Sequence, residues 1–163
     1  MTSSKNTRRT GKTGLLPMSP TGGPIRILVV DDDQAFRIAI QHLLKKLGYA
    51  VSIADGGKAA LEIAAQNKDI QLLITDLIMP GMTGVELAQK LQETNPRLPV
   101  LFTSGHLGML FTSGNPRKTT APMGVPADSA NFLRKPFSLA QLGERVRTLL
   151  VKQSDTGTDK IGD

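Results

Sequence analysis

Carboxylate, hydroxyl and amine side chains follow four apolar runs of this sequence, where predicted strands end. In chain order they are Asp31-Asp32-Asp33, Asp76, Ser104 and Lys135. Taken singly, each has an ordinary explanation: an acidic residue after a strand often caps a helix, and a serine or lysine there is usually a loop residue. Because the carboxyl ends of parallel strands meet at one edge of a sheet, the four positions together indicate a functional site.

This combination of residue types suits phosphoryl transfer to a carboxylate. An ionised Asp76 can attack phosphorus at neutral pH without a general base and form an acyl phosphate. Asp31 and Asp32 repel one another, and a hard cation such as Mg²⁺ relieves that repulsion while also binding phosphate oxygens. Lys135 would then pair with one phosphoryl oxygen, and the Ser104 hydroxyl would hydrogen-bond another.

The elements that position these residues alternate between strand and helix. Apolar spacing predicts helices over 34–47 and 58–66. A capping box at Thr83 and Glu86 predicts the start of a third helix, which ends near Glu93. A second capping box at Ser138 and Gln141 starts the last helix, which ends near Val151. The predicted strands are 25–30, 50–54, 70–75, 100–103 and 131–134. This order predicts an α/β fold with a parallel sheet covered on both faces.

Composition excludes several classes of protein. The chain has 163 residues and no cysteine, which rules out disulfides, a cysteine nucleophile and thiolate metal sites. It has no tryptophan and one tyrosine, so a stacking platform for nucleic acid is disfavoured. No apolar run is long enough to span a membrane, and no apolar segment follows the first basic residues as in a secretory signal. We therefore expect a cytoplasmic location without membrane contact.

The net charge of +6 is unevenly distributed along the chain. Residues 1–24 contain four basic and no acidic side chains. Their low hydrophobicity predicts a disordered basic tail, and contact with nucleic acid is disfavoured against a solvated leader. We expect one folded domain over 25–151 and a polar C-terminal tail over 152–163.

Four segments resemble response-regulator receiver domains of the CheY-like kind. Residues 27–33 are similar to the first strand and acidic pair of the family, and residues 76–84 resemble its phosphoacceptor loop. Residues 99–105 and 132–137 resemble its fourth and fifth strands, the latter with a Lys-Pro bond that is often cis in the family. The resemblance covers about residues 25–151 and implies a flavodoxin-like (βα)5 three-layer sandwich with strand order 2-1-3-4-5.

The resemblance also implies roles for residues at the matching positions. Asp76 would be the phosphoacceptor, and its phosphoryl group would come from a histidine kinase or a phosphotransfer protein. Mg²⁺ or Mn²⁺ would be bound by Asp31, Asp32, Asp76 and the backbone carbonyl of Ile78.

Three further positions complete the implied site. Ser104 and Lys135 would bind the phosphoryl group, and Phe132 would be the switch aromatic whose ring turns inward on phosphorylation. The protein would be a signalling module that catalyses only its own phosphorylation and dephosphorylation, and would change its contacts with a downstream protein target or form a homodimer.

The segment between the fourth and fifth strands departs from the family. Ser104 and Lys135 are 31 positions apart, and residues 105–128 contain three prolines, so we expect an irregular insertion where the family has its fourth helix. The string at 101–105 recurs at 110–114, which leaves Ser113 as an alternative to Ser104. The 28 positions from Asp76 to Ser104 fit the family and favour Ser104. His106 would either lie at the rim of the site and tune phosphate loss or be a solvated loop residue.

Several functions remain open. No segment of domain size follows residue 151, so we expect a single-domain response regulator. The alternatives are a receiver segment of a hybrid histidine kinase and, if the insertion blocks the site, a phosphate-independent pseudo-receiver that binds protein. A haloacid-dehalogenase-type phosphohydrolase is disfavoured, because those enzymes have a second Asp where this chain has Ile78.

Overall fold

Strands and helices alternate along the described part of the chain, which in this computed structural model comprises residue 19, residues 22–105 and residues 130–155. The elements are β1 Arg26–Val30, α1 Gln34–Lys46, β2 Ala50–Ala54, α2 Gly57–Gln66, β3 Ile70–Asp76, α3 Gly84–Thr94, β4 Val100–Ser104, β5 Phe132–Arg134 and α4 Leu139–Asp155. The predicted insertion beyond Gly105, with His106 and Ser113, lies outside the described residues, as does most of both predicted tails.

The five strands form one parallel sheet in the order β2-β1-β3-β4-β5, which confirms the predicted topology. Asp76 lies opposite Thr103, and Ser104 lies opposite Arg134. The carboxyl ends of β1, β3, β4 and β5 therefore meet at one edge of the sheet, and the residues that follow these strands are brought to that edge.

The core lies in two layers, one on each face of the sheet. One cluster contains Leu28 and Leu73 and is covered by α2 and α3. The other contains Val29 and Leu72 and is covered by α1 and α4. Consecutive strand residues point to opposite faces, so a strand that is buried on both sides must be apolar throughout, as the runs in the sequence predicted. The three-layer α/β sandwich is confirmed.

Side-chain caps fix where three of the helices begin. Asp33 accepts a hydrogen bond from the Phe36 backbone N–H at the start of α1. Thr83 and Glu86 form the predicted capping box of α3. Ser138 and Gln141 exchange the equivalent bonds before α4. These caps satisfy backbone donors that a helix start leaves unpaired, and they place all three starts at the carboxyl edge of the sheet.

The last helix is longer than predicted, since α4 continues to Asp155 rather than ending near Val151. Its apolar face ends at the buried Leu150. Beyond it, Lys152 and Gln153 are good helix formers, and the half-buried Gln153 donates from Nε2 to the Arg97 carbonyl at 3.4 Å. No helix among the described residues has both the length and the apolar character that a bilayer crossing needs.

Candidate functional site

Three carboxylates converge at the carboxyl edge of the sheet. Ligand oxygens of Asp31, Asp32 and Asp76 all lie within 4.8 Å of one another. Asp31 and Asp76 are buried, with 1% and 5% of their surfaces exposed, while Asp32 is exposed. The adjacency of β1 and β3 produces this cluster, because Asp31 follows β1 and Asp76 is the last residue of β3.

Lys135 is the cation of the site. Its Nζ lies 2.6 Å from Asp31 Oδ2 and 3.6 Å from Asp76 Oδ2, and its side chain is 19% exposed. Its backbone N–H donates to the Ser104 carbonyl at 2.9 Å, which continues the pairing of β4 with β5 by one residue. The Lys135-Pro136 peptide bond is cis, as the resemblance implied. One ammonium is therefore shared between two carboxylates.

The environment of Asp76 disfavours its ionised form. Burial raises the pKa of the Asp76 carboxyl above its ordinary value of 3.8, the Lys135 ammonium opposes that change, and the negative charges of Asp31 and Asp32 add to it. A hydrogen bond from the Ile78 backbone N–H also lowers the pKa, but not enough to cancel the effect of burial, so the net shift of the Asp76 pKa is upward. The site thus concentrates more negative charge than Lys135 neutralises.

One oxygen of this cluster lacks a donor. Asp76 Oδ1 is buried and has no hydrogen-bond partner among the described residues. An unpaired buried carboxylate oxygen is costly, and a bound cation would relieve that cost and the repulsion within the cluster. All-oxygen carboxylate donors are those that Mg²⁺ and Mn²⁺ prefer. The residues present therefore fit a divalent ion.

Two positions of the 76–84 loop require glycine, each for a different structural reason. Gly81 adopts a positive φ of 82°, a conformation that side chains disfavour. A Cβ on Gly84 would lie 2.1 Å from the Asp76 carbonyl oxygen, and the Gly84 N–H donates to the Leu77 carbonyl. The start of α3 is thus in direct contact with the backbone of Asp76.

The remaining predicted residues also lie at this edge. Ser104 ends β4 and is fully buried. Thr103 is buried beside Asp76, and its hydroxyl has no partner within the described ranges. Phe132 is 4% exposed and packs in the cluster under α2 and α3. The ring is therefore buried at the position where the resemblance places the switch aromatic.

Sequence reasoning missed two residues of the first turns of α1. Arg37 donates from Nη1 to the backbone carbonyl of Asp31. The Phe36 ring lies under the Lys135 ammonium, with Nζ 3.9 Å from the ring centroid. The available signal was their position directly after the acidic run, which brings the start of α1 to the site.

Comparison with known proteins identifies the class. A family model described as "Response regulator receiver domain" matches residues 27–147. The chain belongs to this family, whose members are signalling modules of two-component systems that interact with histidine kinases. The acidic site of Asp31, Asp32 and Asp76 is of the kind that carries phosphorylation in this class.

Particular relatives show which receivers it is similar to. Response regulator MprA of Mycobacterium sp. (strain KMS) is 36% identical over 83% of this chain and 55% of its own length. Sensor kinase CckA of Brucella abortus (strain 2308) is 34% identical over 80% of this chain and 13% of its own length. A solved receiver domain of hybrid histidine kinase CckA is 37% identical, with a TM-score of 0.60 over 77% of this chain and 98% of that one.

A solved CheY-like receiver domain protein of Methanospirillum hungatei JF-1 is 26% identical, with a TM-score of 0.66 over 83% of this chain and all of that one. The match to whole receiver domains agrees with the strand order found here. By contrast, the chain spans about half the length of the mycobacterial response regulators that it matches.

Proposed function

We propose that this chain is a single-domain response regulator of a two-component phosphorelay, with its domain over 25–151, and that it acts in the cytoplasm. Asp76 accepts a phosphoryl group from a histidine kinase or a phosphotransfer protein. The observation that supports this most directly is the buried Asp76 carboxylate, which lies 3.6 Å from the Lys135 ammonium and within 4.8 Å of the carboxylates of Asp31 and Asp32.

The acidic cluster would hold the divalent ion. The carboxylates of Asp31, Asp32 and Asp76 and the backbone carbonyl of Ile78 would bind Mg²⁺ or Mn²⁺, which would supply positive charge to the phosphoryl oxygens. Asp31 Oδ1 accepts a hydrogen bond from the Asp33 backbone N–H at 2.9 Å, and this bond orients the carboxylate. Asp31 is thus held from two sides, by this backbone bond at Oδ1 and by the Lys135 ammonium at Oδ2.

The chain's own residues carry the transfer. An oxygen of Asp76 attacks phosphorus, the bond between phosphorus and the donor breaks, and the donor leaves with the electron pair. Lys135 and the Ser104 hydroxyl bind oxygens of the transferred group. Neither group exchanges a proton in this step, so the catalytic effect is positioning and charge neutralisation.

The output would be a change of protein contacts. Phe132 and Ser104 lie on neighbouring strands, so movement of the hydroxyl toward the phosphoryl group would alter the space around the ring. Such a change in a packed two-state element would alter the surface presented to a downstream partner, or to a second copy of the chain.

Intact-protein mass spectrometry tests the proposal directly. Wild type and Asp76→Asn are incubated with acetyl phosphate, with and without Mg²⁺. Asp55→Asn is the matched control, because Asp55 is an exposed aspartate after β2. We expect a phosphoryl adduct on wild type and Asp55→Asn that requires Mg²⁺, and none on Asp76→Asn. A folded wild type that binds neither phosphate nor Mg²⁺ would instead favour the phosphate-independent pseudo-receiver.

A second candidate is the receiver segment of a hybrid histidine kinase. The similarity to the CckA sequences favours it. The two candidates differ in their phosphate donor. A stand-alone regulator takes phosphate from a separate kinase, whereas a hybrid receiver exchanges it with the kinase core encoded in the same chain. Sequencing the complete gene and comparing phosphotransfer rates with purified kinases would separate them.

A further inference from the structure

An aromatic surface lies against Lys135 on the side of α1. The Lys135 Nζ lies over the face of the Phe36 ring, 3.9 Å from its centroid. This distance is well within the range in which the ring quadrupole attracts a cation. The ammonium therefore contacts three groups: Asp31, Asp76 and a neutral aromatic face.

The Phe36 ring is held in place from two directions. The backbone N–H of Phe36 donates to Asp33 Oδ1 at 3.1 Å, in the cap that begins α1. Its ring contacts that of Phe137 in an edge-to-face arrangement, with centroids 5.7 Å apart and planes at 83°. Both rings pack against the core cluster under α1 and α4. The face presented to Lys135 thus has a fixed position.

Lys135 has conflicting partners in the proposed function. At rest its shortest bond is to Asp31 Oδ2. Phosphoryl transfer requires the ammonium to leave Asp31, both because Lys135 must bind a phosphoryl oxygen and because Asp31 is a proposed ligand of the divalent ion. An ammonium freed from its carboxylate on a long side chain has many rotamers, and their entropy opposes an ordered position.

We propose that Phe36 is a positioning residue for Lys135, whose ring face keeps the ammonium beside Asp76 when Asp31 releases it. An aromatic face attracts the cation without occupying any carboxylate oxygen. It therefore does not compete with the divalent ion, as a third acidic partner would. This inference rests on the proposed function of Asp76 as phosphoacceptor.

Substitutions at Phe36 separate the ring face from simple packing. Phe36→Leu keeps an apolar side chain and removes the aromatic face, while Phe36→Tyr keeps the face. Ile38→Leu, an exposed position on the same helix, is the matched control. We expect the rate of phosphorylation by acetyl phosphate to fall about two- to fivefold in Phe36→Leu, a range typical of one partly exposed cation–π contact, and to be restored in Phe36→Tyr.

A spectroscopic readout tests the contact independently of activity. Protons above a ring face are shifted upfield in NMR spectra, so the Lys135 Hε signals should lie upfield in wild type and Phe36→Tyr. They should return to ordinary positions in Phe36→Leu. Mg²⁺ affinity should stay within about twofold of wild type, because the Phe36 ring offers no oxygen ligand to the ion. A merely structural role would lower Mg²⁺ affinity and thermal stability together.

The outcomes are distinguishable. Unshifted Lys135 signals in wild type, or a Phe36→Leu variant that is phosphorylated as fast as wild type, would overturn the inference and leave the proposed function intact. A fall in rate that Phe36→Tyr does not restore would also overturn it. A wild-type chain that is never phosphorylated would refute the proposed function and this inference together.

Discussion

Replacing Asp76 with asparagine should stabilise the fold in the absence of divalent cations. The carboxylate is buried, its Oδ1 has no donor among the described residues, and two further carboxylates lie within 4.8 Å. Asparagine has nearly the same shape and no charge. The substitution therefore removes repulsion while it preserves packing.

The size of the effect follows from the distances. At an effective dielectric constant of about 20, like charges 4.8 Å apart repel by about 3.5 kcal/mol, and Lys135 at 3.6 Å attracts by about 4.6 kcal/mol. The repulsion from Asp31 and Asp32 thus offsets the attraction of Lys135, and the burial of the Asp76 carboxylate, the largest cause of its raised pKa, decides the sign. Because Asp32 is exposed and screened by solvent, we expect a net gain in the free energy of unfolding of about 1–2 kcal/mol, or about 3–6 °C in Tm.

The pH dependence fixes the sign of this prediction. Burial, with help from Asp31, raises the pKa of Asp76 in the folded state above its ordinary value of 3.8. Below that value the carboxyl is protonated in both states, so wild type and Asp76→Asn should be similarly stable. As the pH rises through 3.8 toward the raised pKa, ionisation favours the unfolded chain, and wild type should lose stability relative to the variant.

Urea denaturation at pH 3.5, 5 and 7, with and without Mg²⁺, measures the effect, with Asp55→Asn as the control. Mg²⁺ should stabilise wild type more than Asp76→Asn, since binding to the folded state alone adds to its stability. If Asp76→Asn is less stable than wild type at pH 7 without Mg²⁺, then Lys135 compensates the cluster fully and the reasoning is wrong.

Three other substitutions test features of the same fold. Gly84→Ala places a Cβ 2.1 Å from the Asp76 carbonyl oxygen, so the free energy of unfolding should fall by about 2 kcal/mol or more and phosphorylation should slow. A thermal melt with an unchanged Tm would contradict the contact. Thr103→Val removes a buried hydroxyl without a partner in the described ranges, so urea denaturation should show equal stability or a gain of up to about 1 kcal/mol. Burial raises the pKa of Tyr49 above 10.0, so the stability that its neutral form gives is kept below pH 10 and lost as the pH rises through the raised value. Between pH 9 and 11.5 the Tm of Tyr49→Phe should therefore fall less than that of wild type. Equal falls in Tm would refute this.

The positions of the charged site residues were predictable from the sequence because each residue stands at the end of a strand or directly after it. Apolar runs buried on both faces mark β1 and β3 clearly, and the polar residue that ends each run must lie at the carboxyl edge of the sheet. Capping boxes such as Thr83 with Glu86 depend only on local sequence, and they also were predicted correctly.

Side-chain contacts between distant elements were not predictable. Phe36 has the spacing of a core residue of α1, and nothing local indicates that one face of its ring meets Lys135. Asp31 and Asp32 are adjacent and of the same type, yet one is buried and the other exposed, because successive residues leave the strand in opposite directions. The extent of α4 beyond Val151 involves a hydrogen bond from Gln153 to the Arg97 carbonyl, which joins residues 56 positions apart.

The ion pair between Lys135 and Asp31 joins residues 104 positions apart. β5, which precedes Lys135, has only three residues and pairs with β4 alone among the described strands. No short stretch of the polypeptide can therefore assemble this pocket, and a chain still emerging from the ribosome lacks it until β5 is added to the sheet. Under the proposed function, phosphorylation of Asp76 would then require a completed sheet, because Lys135 reaches the site only with β5.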